Sequence, residues 1–176
     1  MGMEFFVEKA KENTVEMDVR PATIKVIGSG GSGNNMVSWL YKRGVKGAEI
    51  IACNTDQQHL KITDADKKFL IGKDVTRGLG CGGFPQKGAE AAQESLAQLK
   101  SSLNESDMVF VCAGMGGGTG TGSAPVIAKL AKDMGAIVIG VVTMPFKIER
   151  ARIDKAEFGL QQLKQSSDTV IVIDNN

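Results

Sequence analysis

The sequence predicts a doubly wound α/β fold, a mainly parallel sheet with helices on both faces, and three observations carry that expectation. Short apolar runs alternate with longer helical patterns along the chain, the order that builds parallel strands joined by crossover helices. Every unusual loop follows one of those runs or a short segment after it, so the loops gather beyond the carboxyl ends of the strands, where open α/β sheets bind ligands. With 176 residues, 42% hydrophobic and 23% charged, the chain can bury one substantial core, and a single domain is the default.

The elements follow in order. Residues Met1 to Met17 mix Phe5, Phe6 and Val7 with alternating Lys and Glu, which reads as an accessory amphipathic helix with two packing phenylalanines and not as a signal-peptide core. A strand is predicted over Ile24 to Ile27, then a glycine loop, then a helix over Asn35 to Arg43 whose Met36, Trp39 and Leu40 stand at helical spacing and are assigned to the core. Strands over Ile50 to Cys53 and Phe69 to Ile71 lead to Asn54-Thr55-Asp56 and to a loop through Gly78 and Gly83, and a long helix is predicted over Lys87 to Leu103. Strands over Met108 to Ala113, Ile137 to Val142 and Val170 to Ile173 alternate with helices over Ser123 to Met134 and Asp154 to Gln165. The last strand runs into Asp174-Asn175-Asn176 with no covering helix, which is the expectation for a domain cut from a longer chain. The glycine loops are irregularly spaced, so they are not repeats.

Composition excludes several classes of function. The 21 Lys and Arg nearly balance the 20 Asp and Glu, leaving no global field for nucleic acid or acidic lipid, so an anion site must be local. No apolar run reaches transmembrane length, and direct membrane insertion is not expected. Cys53, Cys81 and Cys112 show neither Cys-x-x-Cys spacing nor a disulfide framework; they read as buried small apolar groups, and the cytoplasm fits best. His59 is the sole histidine, which leaves almost nothing for a histidine metal site or a Ser-His-Asp triad, and it reads as structural.

Two glycine loops carry the chemistry. Gly114-Met115-Gly116-Gly117-Gly118-Thr119-Gly120-Thr121-Gly122-Ser123 follows an apolar strand and opens a helix. Without Cβ atoms its backbone N–H groups can approach an anion, while threonine hydroxyls and a helix N-terminus add donors and partial positive charge. Ser123-Ala124-Pro125 follows where a P-loop would place lysine, which argues against a P-loop. The earlier loop, Gly28-Ser29-Gly30-Gly31-Ser32-Gly33-Asn34-Asn35, has the G-x-G-x-x-G spacing of a dinucleotide turn. The acidic residue expected about twenty positions on at the end of the second strand is replaced by Asn54-Thr55-Asp56. A nicotinamide-dependent oxidoreductase and a nucleotide-independent module whose loops are mere turns remain as alternatives.

With these residues assembled, the chain resembles the FtsZ family of tubulin-like GTPases of prokaryotic cell division, specifically the N-terminal GTP-binding domain of an archaeal-type member. The likeness covers Thr23 to Asn176 and rests on Gly116 to Gly122 with Ser123-Ala124-Pro125, on Asn54-Thr55-Asp56 and on Thr76-Arg77-Gly78-Leu79-Gly80. It divides the chain into an extension over 1–22, with Phe5 to Arg20 similar to an extra N-terminal helix, and a nucleotide-binding domain over 23–176, ending before a central helix and a C-terminal domain.

The resemblance implies GTP and GDP as ligands, Mg²⁺ held through phosphates and water, and a cytoplasmic protein at the division site that assembles with itself, head to tail, into filaments. It implies that Gly30, Gly31, Ser32, Gly33, Asn34 and Asn35 with Gly116, Gly117, Gly118, Thr119 and Gly120 wrap the phosphates, and that Cys81, Gly82 and Gly83 sense the terminal one. Asn54 and Asp56 would lie by the nucleotide, Glu149 and Arg152 would hold the ribose, and Asn175 would reach guanine. No catalytic residue is assigned within the chain: the acidic residues that activate water come, in the family, from the neighbouring subunit and from sequence beyond Asn176, so this chain is expected to bind nucleotide and hydrolyse little. Two departures stand out. Two residues, not the family's three, separate Glu149 from Arg152, which makes Arg150 a rival ribose contact, and Phe84 precedes Pro85 where the family usually has asparagine.

Overall fold

The computed structural model describes residues 20–173; the expected helix over Phe5 to Arg20, Phe5 and Phe6 as packing groups, and Asn175 lie outside or almost wholly outside them. The elements are β1 (Ile24–Ser29), α1 (Gly30–Lys42), β2 (Ala48–Asn54), α2 (Gln57–Ile62), β3 (Lys67–Leu70), α3 (Lys73–Thr76), α4 (Pro85–Glu94), α5 (Leu96–Leu103), β4 (Met108–Gly114), α6 (Thr119–Asp133), β5 (Ile137–Thr143), α7 (Arg150–Ser166) and β6 (Thr169–Ile173). The six strands form one parallel sheet in the order β3-β2-β1-β4-β5-β6, so the expected fold class is borne out. The strand order reverses between β1 and β4, which opens a crevice at their carboxyl ends.

Neighbouring residues of a strand point to opposite faces, and both faces of β1 and β2 are apolar. Ile27 and Ile51 join Leu99, Leu103, Ile127 and Leu163 in the larger core, while Val26 and Ile50 join Val37 of α1 and Leu60 of α2 on the other side. A buried leucine or isoleucine in such a core is worth about 2–5 kcal/mol against truncation to alanine. Toward β5 and β6 the second face stays open, an apolar groove of about 750 Å³ lined by Phe110, Val141, Ile173, Leu40 and Trp39. Trp39 is therefore not a core residue, as helical spacing had suggested. It is 56% exposed on the groove's rim, with the Arg43 guanidinium 4.6 Å from its ring centre.

Register at the far end of the sheet is set by three aspartates, each one residue ahead of a strand. Asp66 accepts the N–H of Ile50 at 2.7 Å, Asp107 that of Thr23 at 2.7 Å and Asp168 that of Val138 at 2.8 Å. At the other end, Ser29 of β1 lies level with Cys53 of β2 and Ala113 of β4. The loops that follow those three strands consequently start side by side.

All four helices predicted within the described residues depart from their bounds, α7 by starting at Arg150, four residues before the expected Asp154. Helix α1 begins at Gly30, five residues before the expected Asn35, and α6 begins at Thr119, four before Ser123. Intrinsic propensity disfavours glycine-rich helix starts, but close packing imposes them: a Cβ at Gly33 would collide with the Cys112 carbonyl, and one at Gly122 with the Pro85 carbonyl of α4. The single helix expected over Lys87 to Leu103 is two, broken at Ser95 (φ −99°, ψ 15°). Its hydroxyl accepts the N–H of Gly72 at 3.0 Å, a tertiary bond that the sequence pattern does not show.

Candidate functional site

A polar cleft of about 380 Å³ opens at the strand-order reversal, walled by Ser29 to Ser32 after β1, by Gly114, Met115 and Gly117 to Gly120 after β4, and by Thr143 to Pro145, Glu149 and Arg152. Helices α1 and α6 both start on it, 13 and 15 residues long. Their N-terminal N–H groups have no intrahelical acceptor, and their dipoles place partial positive charge at one point. The two helix starts touch: Gly30 has φ +71°, and a Cβ there would come within 2.8 Å of the Gly120 nitrogen. Two convergent helix N-termini on a glycine backbone are a receptor for phosphate.

Below the cleft, polar side chains are spent on fixing the loops. Ser29 and Ser123 hydroxyls share a hydrogen bond at 2.5 Å, and Ser123 donates to the Thr119 carbonyl at 2.6 Å. Thr55 meets the Thr119 hydroxyl at 2.6 Å and the Cys81 sulfur at 3.4 Å. Thr121 accepts the N–H of Gly116 at 2.9 Å, and Ser32 pairs with Thr143 at 3.2 Å across the cleft wall. Ser29, Thr55, Ser123 and Thr143 had not been singled out as site residues. The only sequence signal for them is a hydroxyl residue at a strand end or loop edge, which is common in turns.

The expected site residues divide into two groups. Gly30, Gly31, Ser32, Gly117, Gly118, Thr119, Gly120, Glu149 and Arg152 line the cleft. The other described ones stand behind or beside it. Gly33 is buried, and buried Asn34 turns its amide nitrogen to the carbonyls of Cys53 and Gly28, both at 3.0 Å, while its oxygen faces the Asn54 amide at 3.0 Å. Asn54 itself accepts the N–H groups of Thr55 at 2.9 Å and Asp56 at 3.2 Å. Asp56 caps α2 by accepting from Gln58 and His59, Gly116 packs against Arg152, and exposed Asn35 faces the apolar groove.

The loop Cys81-Gly82-Gly83 backs directly on Gly118, where a Cβ would lie 2.6 Å from that of Cys81 and 3.2 Å from the Gly83 nitrogen. On the opposite wall, Glu149 receives the Arg152 guanidinium at 2.9 Å and the Phe146 N–H at 3.2 Å. Arg150 does not line the cleft, so Arg152 is the better placed of the two rival arginines. His59 packs near Gly31 and Asn54. Burial pushes the thiols of Cys53 and Cys112 up to about 12, so neither is a thiolate nucleophile near neutral pH.

Comparison with known proteins gives the family and the fold. The family model described as Tubulin/FtsZ family, GTPase domain, matches residues 23–176. The chain is 58% identical over 155 residues to the cell division protein FtsZ 2 of Methanocaldococcus jannaschii, covering 88% of this chain and 41% of that protein. It is 52% identical over 163 residues to the FtsZ of Aquifex aeolicus, covering 92% and 44%. Among solved structures, an empty FtsZ dimer from M. jannaschii superposes with a TM-score of 0.87 at 48% identity, over 98% of this chain and 48% of that one. A GTPγS-bound protofilament of CetZ2 from Haloferax volcanii gives a TM-score of 0.78 at 30% identity, over 87% and 49%. The chain thus spans less than half the length of these relatives.

Proposed function

The chain belongs to the Tubulin/FtsZ family and carries its GTPase domain, and from that premise we propose that the cleft binds GTP and GDP. We further propose that copies of the protein associate head to tail into filaments at the division site in the cytoplasm, and that GTP hydrolysis is completed at the contact between subunits. The observation that carries the reading is the meeting of two helix N-termini, α1 at Gly30 and α6 at Thr119, on one glycine-lined cleft. Micromolar affinity requires about 8 kcal/mol. Hydrogen bonds to a charged group contribute roughly 1.5–3 kcal/mol each and helix termini up to about 2 kcal/mol, so a few backbone donors suffice without a lysine.

Across the cleft, Glu149 and Arg152 form the wall suited to the ribose hydroxyls. Among the described residues no three His, Cys, Asp or Glu side chains converge on a metal position. We therefore give Mg²⁺ no protein cage: it would arrive on the triphosphate, coordinated by phosphate oxygens and water. Among the described residues that line the cleft, Glu149 is the sole carboxylate, and it is already held by Arg152 and Phe146. Activation of water is accordingly assigned to a neighbouring subunit, in keeping with the FtsZ dimer and the CetZ2 protofilament among the similar structures.

A thermal-shift panel with GTP, GDP, ATP and NAD tests the reading. Stabilisation by GTP and GDP supports it; stabilisation by NAD alone would point to an oxidoreductase, and no shift with any of the four to an interaction module. Phosphate release by the 176-residue chain should stay near background across a concentration series, since among the described residues no free acid faces the cleft. Robust turnover lost on Glu149→Gln would place the water-activating group within this chain instead.

A further inference from the structure

From the placement of one lysine outside the cleft, we infer that Lys155 is a positioning residue for the outermost phosphate, acting through the loop 81–84. The inference rests on the GTP-binding reading of the cleft. Lys155 stands on α7, the helix that also carries Arg152, and its ammonium donates to the Gly83 carbonyl at 2.9 Å. It is a tie between two parts of the site separated by 72 residues in sequence.

The loop needs such a tie. Gly82 and Gly83 have φ of +58° and +78°, two successive left-handed residues without side chains, the softest backbone the chain can offer. Its first residue is anchored, with the Cys81 sulfur under the hydroxyls of Thr55 and Thr119 at 3.4 and 3.5 Å. Its last is anchored too, since Phe84 donates its N–H to the Cys81 carbonyl at 3.1 Å and Pro85 starts α4. Between those anchors the crest is held by Lys155 alone among the described residues.

What the crest presents explains why its orientation matters. The N–H groups of Gly82 and Gly83 have no hydrogen-bond acceptor among the described residues, and the Gly83 nitrogen abuts Gly118 on the cleft's edge. With its carbonyl held by a cation, the loop keeps these free donors beside Gly118. There, on the assignment of Cys81, Gly82 and Gly83 to the terminal phosphate, they meet the outermost one. A triphosphate reaches that point and a diphosphate does not. Lys87 is the natural comparison: it and Lys155 both stand 5.7 Å from the Phe84 ring centre, but Lys87 makes no bond to the loop.

The test is the ratio of GTP to GDP affinity, measured by calorimetric titration of the 176-residue chain and its Lys155→Ala, Lys155→Met and Lys87→Ala variants. Loss of a charge-assisted hydrogen bond that orients the loop should lower the preference for GTP about fivefold or more in both Lys155 variants. GDP affinity and melting temperature should stay as in wild type, and Lys87→Ala should keep the wild-type ratio. An unchanged ratio in the Lys155 variants, an equal fall in Lys87→Ala, or a wild type that binds GTP and GDP equally would overturn the inference and leave the cleft's assignment standing. A wild type that binds neither nucleotide would overturn the assignment as well.

Discussion

The hydroxyl of Thr55 lies 2.6 Å from the hydroxyl of Thr119. One follows β2 and the other starts α6, 64 residues later, and the Cys81 sulfur completes the cluster at 3.4 and 3.5 Å. Three loops from separate parts of the chain are thereby fixed under the cleft. Thr55→Val keeps the shape but removes the bond to the half-buried Thr119 hydroxyl, at a cost of about 1 kcal/mol. We expect a lower melting temperature together with a GTP affinity reduced about tenfold, because the helix start at Thr119 loses its support. Denaturant titration and nucleotide titration check the two effects separately, and a variant that binds GTP as wild type does would show the cluster to be incidental to the cleft.

Asn54 gives a second expectation. The resemblance placed it by the nucleotide, but its amide is committed to Asn34, Thr55 and Asp56, which leaves little of its donor and acceptor capacity for a base. Asn54→Ala should therefore weaken GTP and ATP binding by the same factor and lower the melting temperature. A selective loss of GTP over ATP would instead make Asn54 a guanine contact.

Much of this was legible in the sequence, and the remainder failed for physical reasons. The strands were, because short apolar runs between turn residues leave few other choices in a parallel sheet. The two glycine loops were placed for the same reason that they work, as glycine next to a strand end signals close backbone approach. Hidden were features that depend on contacts between distant segments. Helix α1 starts at Gly30 because Gly33 must pass close to Cys112, and Ser95 breaks a helix for a bond to Gly72. Trp39 keeps helical periodicity on a face that the described residues leave uncovered. Asn34 and Gly31 are near neighbours in one motif, yet the first supports the loop and the second lines the cleft.

At the opposite end of the sheet, Asp168 titrates in a way that stability should follow. The Val138 N–H donates to its carboxylate at 2.8 Å and the Lys132 ammonium stands at 2.9 Å; both hold its pKa below the ordinary carboxylate value, the backbone bond most. A carboxyl whose folded pKa is depressed adds stability above its unfolded pKa of about 3.9 and loses it as pH falls through the lower, folded value. Wild type should therefore melt higher than Asp168→Ala by a constant margin from neutral pH down to about 5, with the margin narrowing below about 4. Melting curves across that range decide it, and a margin independent of pH would mean that the interaction does not depend on the charge.

The central claim is that phosphate sits against the backbone of Gly117 to Gly120, and two neighbouring glycines allow it to be tested without confusing binding with folding. A Cβ at Gly118 meets Cys81 at 2.6 Å and the Phe84 nitrogen at 3.0 Å, whereas one at Gly117 meets nothing within 4 Å. Gly118→Val should lower both stability and binding, while Gly117→Val should fill only the cleft. The deciding measurement is a titration of GTP into wild type and Gly117→Val, each with its melting curve. We expect wild-type affinity near micromolar, about 8 kcal/mol, and a loss of roughly 30-fold or more, about 2 kcal/mol, in the variant at unchanged melting temperature. Equal GTP affinity in the two proteins would contradict the account, since a branched side chain in that position cannot share the space with a phosphate.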